Sequence, residues 1–93
     1  MTQLEKQLKV INRLGLHARA AAKIAASLEG LECEVMLVKD GISADARSVL
    51  EILTLDAPQG SELVVKASGP QASAAVAALE ELFAEGFGED TGG

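Results

Sequence analysis

The chain holds a single histidine, His17, with Gly15 two residues ahead of it and Arg19 two residues behind. Imidazole has a reference pKa of about 6.5, so near neutral pH a ring nitrogen is free to act as a nucleophile. Arg19 adds a forked, permanent cation suited to pairing with phosphate oxygens. Gly15 reaches backbone angles closed to other residues and suits a tight turn out of a strand. The run from Ala18 to Leu28 is rich in helix formers, with Ala21, Ile24 or Ala25, and Leu28 at helical spacing. His17 therefore belongs at or just before a helix start, where the N–H groups of Ala18 and Arg19 lack partners and the helix dipole favours an anion. Nucleophile, anion cradle and cation together point to a histidine that takes on a phosphoryl group and gives it away. That chemistry requires a ring nitrogen open to solvent at the helix tip. Residue types alone leave a plainer reading beside it, in which His17 is a turn or capping residue.

Other chemistries find less support. His17 has no second histidine and Cys33 no thiol partner, so no tetrahedral metal set is legible, and neither metal nor cofactor is expected. There is no Gly-rich Lys-Ser/Thr nucleotide loop, so the chain is not expected to phosphorylate itself from ATP. A formal net charge of −6 argues against a general nucleic-acid binder, which needs a basic face. No apolar run reaches the roughly 18 residues of a membrane span, and no signal segment is read at the start. Cys33, set between Glu32 and Glu34, reads as a small buried apolar residue in a reducing compartment, so the cytoplasm is expected.

The elements that must position His17 follow from periodicity. With 93 residues, 48% of them hydrophobic, the chain reads as one small domain over residues 1–88, with an acidic, Gly-containing tail at 89–93 that should fray. Its two aromatic residues are both Phe, so aliphatic and alanine packing must supply most of the core. Residues Glu5 to Ile11 alternate as a first strand, with Leu8 and Val10 on one face. Asn12, in the turn that follows, is placed to bond the loop backbone, the role of an ordinary turn residue rather than a catalytic one. After the His17 helix stops near Gly30, Cys33, Val35 and Leu37 mark a second strand, and Asp40-Gly41 signals a hairpin into a third, Ile42 to Ala46. Ser48 to Leu53 reads as a short helix, Glu62 to Ala67 as a fourth strand, and Gly69-Pro70 as the opening of a last helix carrying Val76, Leu79 and Leu82 or Phe83. Helices with one apolar stripe each must cover one face of a mainly antiparallel sheet, giving an α+β open-faced sandwich in the order βαββαβα.

Leu14-Gly15-Leu16-His17-Ala18-Arg19 resembles the phosphorylation motif of the histidine-containing (HPr-type) phosphocarrier proteins of the bacterial phosphotransferase system. The likeness runs over nearly the whole chain, through Ala46-Arg47-Ser48-Val49-Leu50 and Gly69-Pro70-Gln71. The ending, Leu82 to Asp90, is more similar to the nitrogen-related branch than to the sugar-transport branch. The resemblance implies a four-stranded sheet of order 1-4-2-3, a phosphoryl group carried on Nδ1 of His17, and Arg19 as its stabiliser. It also implies an upstream partner of the enzyme I type, charged by phosphoenolpyruvate, and a downstream acceptor of the enzyme IIA type. On this reading the chain is a monomeric carrier, not an enzyme in its own right. Many members have proline where this chain has Ala20, which reads as a subfamily mark. A sugar-branch carrier, or a regulatory module whose phosphorylation state controls target binding, are the alternatives.

Two further groups of residues bear on regulation and docking. In some relatives a serine matching Ser48 is phosphorylated, yet Ser48 and Glu51 also have the spacing of a capping box, and Val49-Leu50-Glu51 departs from the Ile-Met-Gly pattern of regulated relatives. Leu50 and Leu53 sit on a helix too short to bury every apolar side chain, so they are candidates for a docking patch with Ala20, rimmed by Lys23 and Arg47.

Overall fold

Alternating side chains build the strands and apolar stripes build the helices, largely in the order the sequence predicts. The computed structural model describes residues 3–92. Its elements are β1 (Gln3–Lys9), α1 (Ala18–Ser27), β2 (Glu34–Lys39), β3 (Ile42–Asp45), α2 (Val49–Thr54), β4 (Glu62–Ser68) and α3 (Ala72–Ala84). The four strands form one antiparallel sheet in the order β1-β4-β2-β3. The β2–β3 hairpin turns on Asp40 and Gly41 with φ of 50° and 80°, the mirror-image turn that matches strand twist.

Register places the apolar sets on one face. Leu8 pairs with Leu63, and Leu37 lies between Val65 of β4 and Ala44 of β3, all of them buried. Against that face pack Ala20, Ala21 and Ile24 of α1, Ile52 of α2, and Ala75, Leu79 and Phe83 of α3. Helix α1 lies against both α2 and α3, while α3 covers β1 and β4. The alanines let the helices approach closely, and Ile24, fully buried, contributes roughly 1.5–3 kcal/mol.

Two expectations are corrected. Pro70 does not open α3: Gln71 is its N-cap, and Gln71 is cross-linked to Glu32, donating its N–H to the Glu32 carbonyl at 3.0 Å and accepting the Glu32 N–H at 2.7 Å. That clasp to the α1–β2 connection holds the chain out of the helix until Ala72. Nor do residues 89–92 fray. Gly86, Phe87 and Gly88 form a tight turn with φ of 59°, 58° and 71°. Left-handed angles at a non-glycine residue cost on the order of 1–3 kcal/mol. Burial of the Phe87 ring offsets that cost, because it sits edge-on to Phe83 with centroids 4.9 Å apart and is 1% exposed. The turn sends the chain back across the β1–α1 loop as a strap. There the Asp90 carbonyl accepts the Arg13 N–H at 2.8 Å, and the Thr91 carbonyl accepts from Gln59 Nε2 at 2.9 Å.

Candidate functional site

The β1–α1 loop takes its shape from Gly15. Its φ is 69°, and a Cβ there would lie 2.5 Å from the Ala57 carbonyl oxygen, so only glycine lets the loop rest on the α2–β4 connection. The Leu16 N–H then donates to that same carbonyl at 2.9 Å. One residue later His17 is the N-cap of α1, extended at φ −78° and ψ −179°, with its carbonyl accepting the first helical bond from Ala21 at 2.9 Å. Its ring Nδ1 accepts from the Arg19 N–H at 3.2 Å. Both readings of His17 as a residue at the helix start therefore meet in one geometry: the cap is the candidate nucleophile.

The other ring nitrogen is held by a residue 72 positions away. Nε2 lies 2.9 and 2.8 Å from the two carboxylate oxygens of Glu89. Glu89 Oε1 also accepts from Asn12 Nδ2 at 3.0 Å, and the same amide donates to the Gly15 carbonyl at 2.8 Å. Asn12 is fully buried and makes both bonds from inside the loop. The Glu89 carboxyl is held below its ordinary range chiefly by the hydrogen bond from His17, with burial opposing and Asn12 and the charge of Lys23 assisting, so it is ionised at neutral pH. A backbone N–H only donates and a carboxylate only accepts, so the two contacts agree on one neutral tautomer, with the proton on Nε2 and the lone pair on Nδ1. The expected fully open nitrogen is thus replaced by a half-buried ring, its side chain 26% exposed, whose Nδ1 touches a single long donor.

The other sequence candidates separate into groups. Arg19 is exposed, and its guanidinium makes no hydrogen bond among the described residues; with Arg13, Leu14, Gly88, Glu89 and Asp90 it lines an open cleft of about 370 Å³. Leu14 and Leu53 border a shallow depression together with His17, and Leu14, Leu50 and Leu53 are exposed. Ala20 is not available for docking, since it is fully buried in the core. Lys23 donates to the Phe87 carbonyl and holds the strap. Arg47 lies at the opposite end of α1 from His17, donating to the carbonyls of Leu28, Leu31 and Cys33 at 3.2, 2.7 and 2.7 Å. Ser48 caps α2 by accepting the Glu51 N–H at 3.2 Å, but the Glu51 carboxylate bonds the Asp45 N–H at 3.0 Å, so the reciprocal box is only half formed. Among the described residues no His, Cys, Asp or Glu cluster could hold a metal ion, and no helix is long and apolar enough to cross a membrane.

Sequence reasoning missed Glu89; for Asn12 it gave the bond to the loop backbone but not the bond to Glu89. One signal could have found the first: Phe87, one of two aromatic residues, stands between glycines in an otherwise polar tail and has no reason to be there unless it is buried.

Comparison with known proteins places this geometry in context. The model of a family described as PTS-HPr, PTS HPr component phosphorylation site, matches residues 4–85. Over 88 residues the chain is 41% identical to phosphocarrier protein NPr of Escherichia coli K12, covering 94% of this chain and 98% of that protein. It is 39% identical over 85 residues to phosphocarrier protein HPr of Treponema pallidum, covering 91% and 97%. Among solved structures, HPr from Thermoanaerobacter tengcongensis superposes with a TM-score of 0.88 at 30% identity, over 94% of this chain and 98% of that one. A phosphocarrier HPr from Bacillus anthracis gives 0.83 at 26% identity, over 89% and 99%.

Proposed function

The chain belongs to the HPr family of phosphocarrier proteins of the phosphotransferase system, and from that membership we propose that His17 is its phosphoryl-carrying residue. The donor is the phosphohistidine of an enzyme I-type protein charged by phosphoenolpyruvate, and the acceptor is an enzyme IIA-type protein. The Nδ1 lone pair attacks the donor phosphorus. The donor P–N bond breaks, its electron pair returns to the donor imidazole, and a P–Nδ1 bond forms on His17. The Nε2 proton stays where it is, leaving a positively charged ring. Onward transfer runs the same sequence in reverse, with neutral imidazole as the leaving group.

The observation that supports this reading most directly is the Arg19 N–H at 3.2 Å from Nδ1, which assigns the lone pair to the nitrogen that faces the start of α1. On attack the Arg19 N–H exchanges Nδ1 for a phosphoryl oxygen, joined by the Ala18 N–H and the free Arg19 guanidinium. Catalysis of this kind is positioning plus charge stabilisation. The exposed Leu14 and Leu53 supply an apolar docking patch beside the ring, continued along α2 by Leu50, and Arg19 steers acidic partners toward it.

We assign the chain to the nitrogen-related branch, supported by its 41% identity to the Escherichia coli NPr and by its closing Gly86 to Asp90, the segment that forms the strap. Mixed with phosphoenolpyruvate and enzyme I of either branch, the protein gains one acid-labile, base-stable phosphoryl group, faster from the nitrogen-type enzyme. His17→Ala gains none. Equal labelling of that variant would remove His17 from the reaction, and faster charging by the sugar-type enzyme would reverse the branch.

A further inference from the structure

We propose that Glu89 is a positioning residue for phosphoryl transfer, holding the proton on Nε2 of His17 so that phosphorus arrives and leaves at Nδ1 without any proton moving. The inference deepens the carrier reading and rests on it. Its basis is the geometry of the carboxylate. Both Glu89 oxygens lie within 2.9 Å of Nε2, and the side chain is only 11% exposed. A surface glutamate ordinarily samples many rotamers, but this one is pinned by the Asn12 amide, which bonds Glu89 and the Gly15 carbonyl at once. Carboxylate, ring and loop therefore form one rigid unit, the arrangement by which a carboxylate fixes an imidazole tautomer and neutralises the charge that develops on the ring.

The chemistry gives this contact work that a tether alone would not have. When Nδ1 bonds phosphorus and Nε2 keeps its proton, the ring becomes cationic, and the carboxylate beside Nε2–H balances that charge. When the phosphoryl group leaves, the electron pair returns to Nδ1 and the ring is neutral again, with its proton still on Nε2. If the proton were lost midway, the leaving group would be an imidazolate, and transfer would stall. The strap does not need Glu89 to stay in place. It is anchored by the buried Phe87 ring, by Lys23 on the Phe87 carbonyl, and by Gln59 on the Thr91 carbonyl.

Nitrogen-15 NMR of the His17 ring in the unphosphorylated protein, paired with single-turnover uptake and release, tests the proposal. Wild type shows Nδ1 unprotonated and Nε2 protonated. Glu89→Gln, whose amide can also present a donor to Nε2, admits the opposite tautomer and slows both transfer steps by roughly 10–100-fold. That lies below the ~10⁴ seen when a deeply buried Asp–His pair is inverted, because this ring opens to solvent. Glu89→Asp keeps an acceptor and retains the tautomer. Gln59→Ala, which loosens the strap elsewhere, changes neither reading. Unaltered tautomer and rates in Glu89→Gln, or equal loss in Gln59→Ala, would overturn the proposal. Failure of the wild-type protein to label at His17 would instead remove the carrier reading, and the ring tautomer would still show whether Glu89 sets the proton.

Discussion

The two ends of α1 face the same physical problem and meet it in opposite ways. At its C-terminal end and the turn beyond, the carbonyls of Leu28, Leu31 and Cys33 all receive the guanidinium of Arg47, a permanent cation complementing the negative end of the helix dipole. At its N-terminal end the cap is the imidazole of His17, which takes one N–H at 3.2 Å and leaves the neighbouring donors to solvent. One end is closed by a side chain held on three carbonyls at once. The other is capped through one long bond, and on the proposed reading its loss frees the Nδ1 lone pair and the Arg19 N–H together. The difference shows how a helix too short to be stable alone can be fixed at one end and remain reactive at the other.

Substitutions can break that contrast or sharpen it. The largest structural effect belongs to the strap that closes over the reactive end. Phe87→Ala empties a buried aromatic site and costs about 3–5 kcal/mol, read by urea denaturation, and it lowers phosphoryl uptake by releasing Glu89 from the ring. Full stability in that variant would mean the strap is not anchored by Phe87. At the closed end, Arg47→Met removes three charge-assisted hydrogen bonds from a partly solvated site and lowers stability by about 1–2 kcal/mol. Its rate of phosphoryl uptake remains that of wild type, because Arg47 lies a helix length from His17. A matching loss of transfer would erase the distinction between the ends. Smallest for the fold is Arg19→Ala, which leaves the folding midpoint in place and slows transfer about tenfold, or roughly 1.4 kcal/mol. Unchanged single-turnover rates would take the guanidinium out of the mechanism and leave the helix N–H groups as the sole cradle.

Much of this could be read from residue order because its causes are local. Alternation placed Leu8, Val35, Leu37, Leu63 and Val65 on the inner face, and Asp40-Gly41 could form only a tight turn of mirror-image type. His17 was placed at the helix start by the Gly15 turn before it and the alanine run behind it, and there it is. Docking residues were harder to read. Ala20 and Leu50 are both apolar residues on short helices, yet one is fully buried and the other 78% exposed. Periodicity gives the direction of a stripe but not how much of it a neighbouring element will cover. The bonds of Arg47 and Lys23 were hidden for a related reason, since a cation in a sequence carries no mark of the carbonyl it will meet.

Residue types and spacing by themselves determined the candidate nucleophile, the turn that presents it, the helix end behind it and the layering of sheet and helices. The local cap bond from the Arg19 N–H sets the lone pair on Nδ1, but only tertiary structure supplied the carboxylate that meets Nε2. That second contact depends on Glu89 and Asn12, brought to the ring across 72 and five positions of chain, the first of them by a left-handed turn whose strain is tolerated because Phe87 is buried. Local sequence sets local backbone preference. A contact between distant residues exists only once the core has packed and fixed where the chain returns.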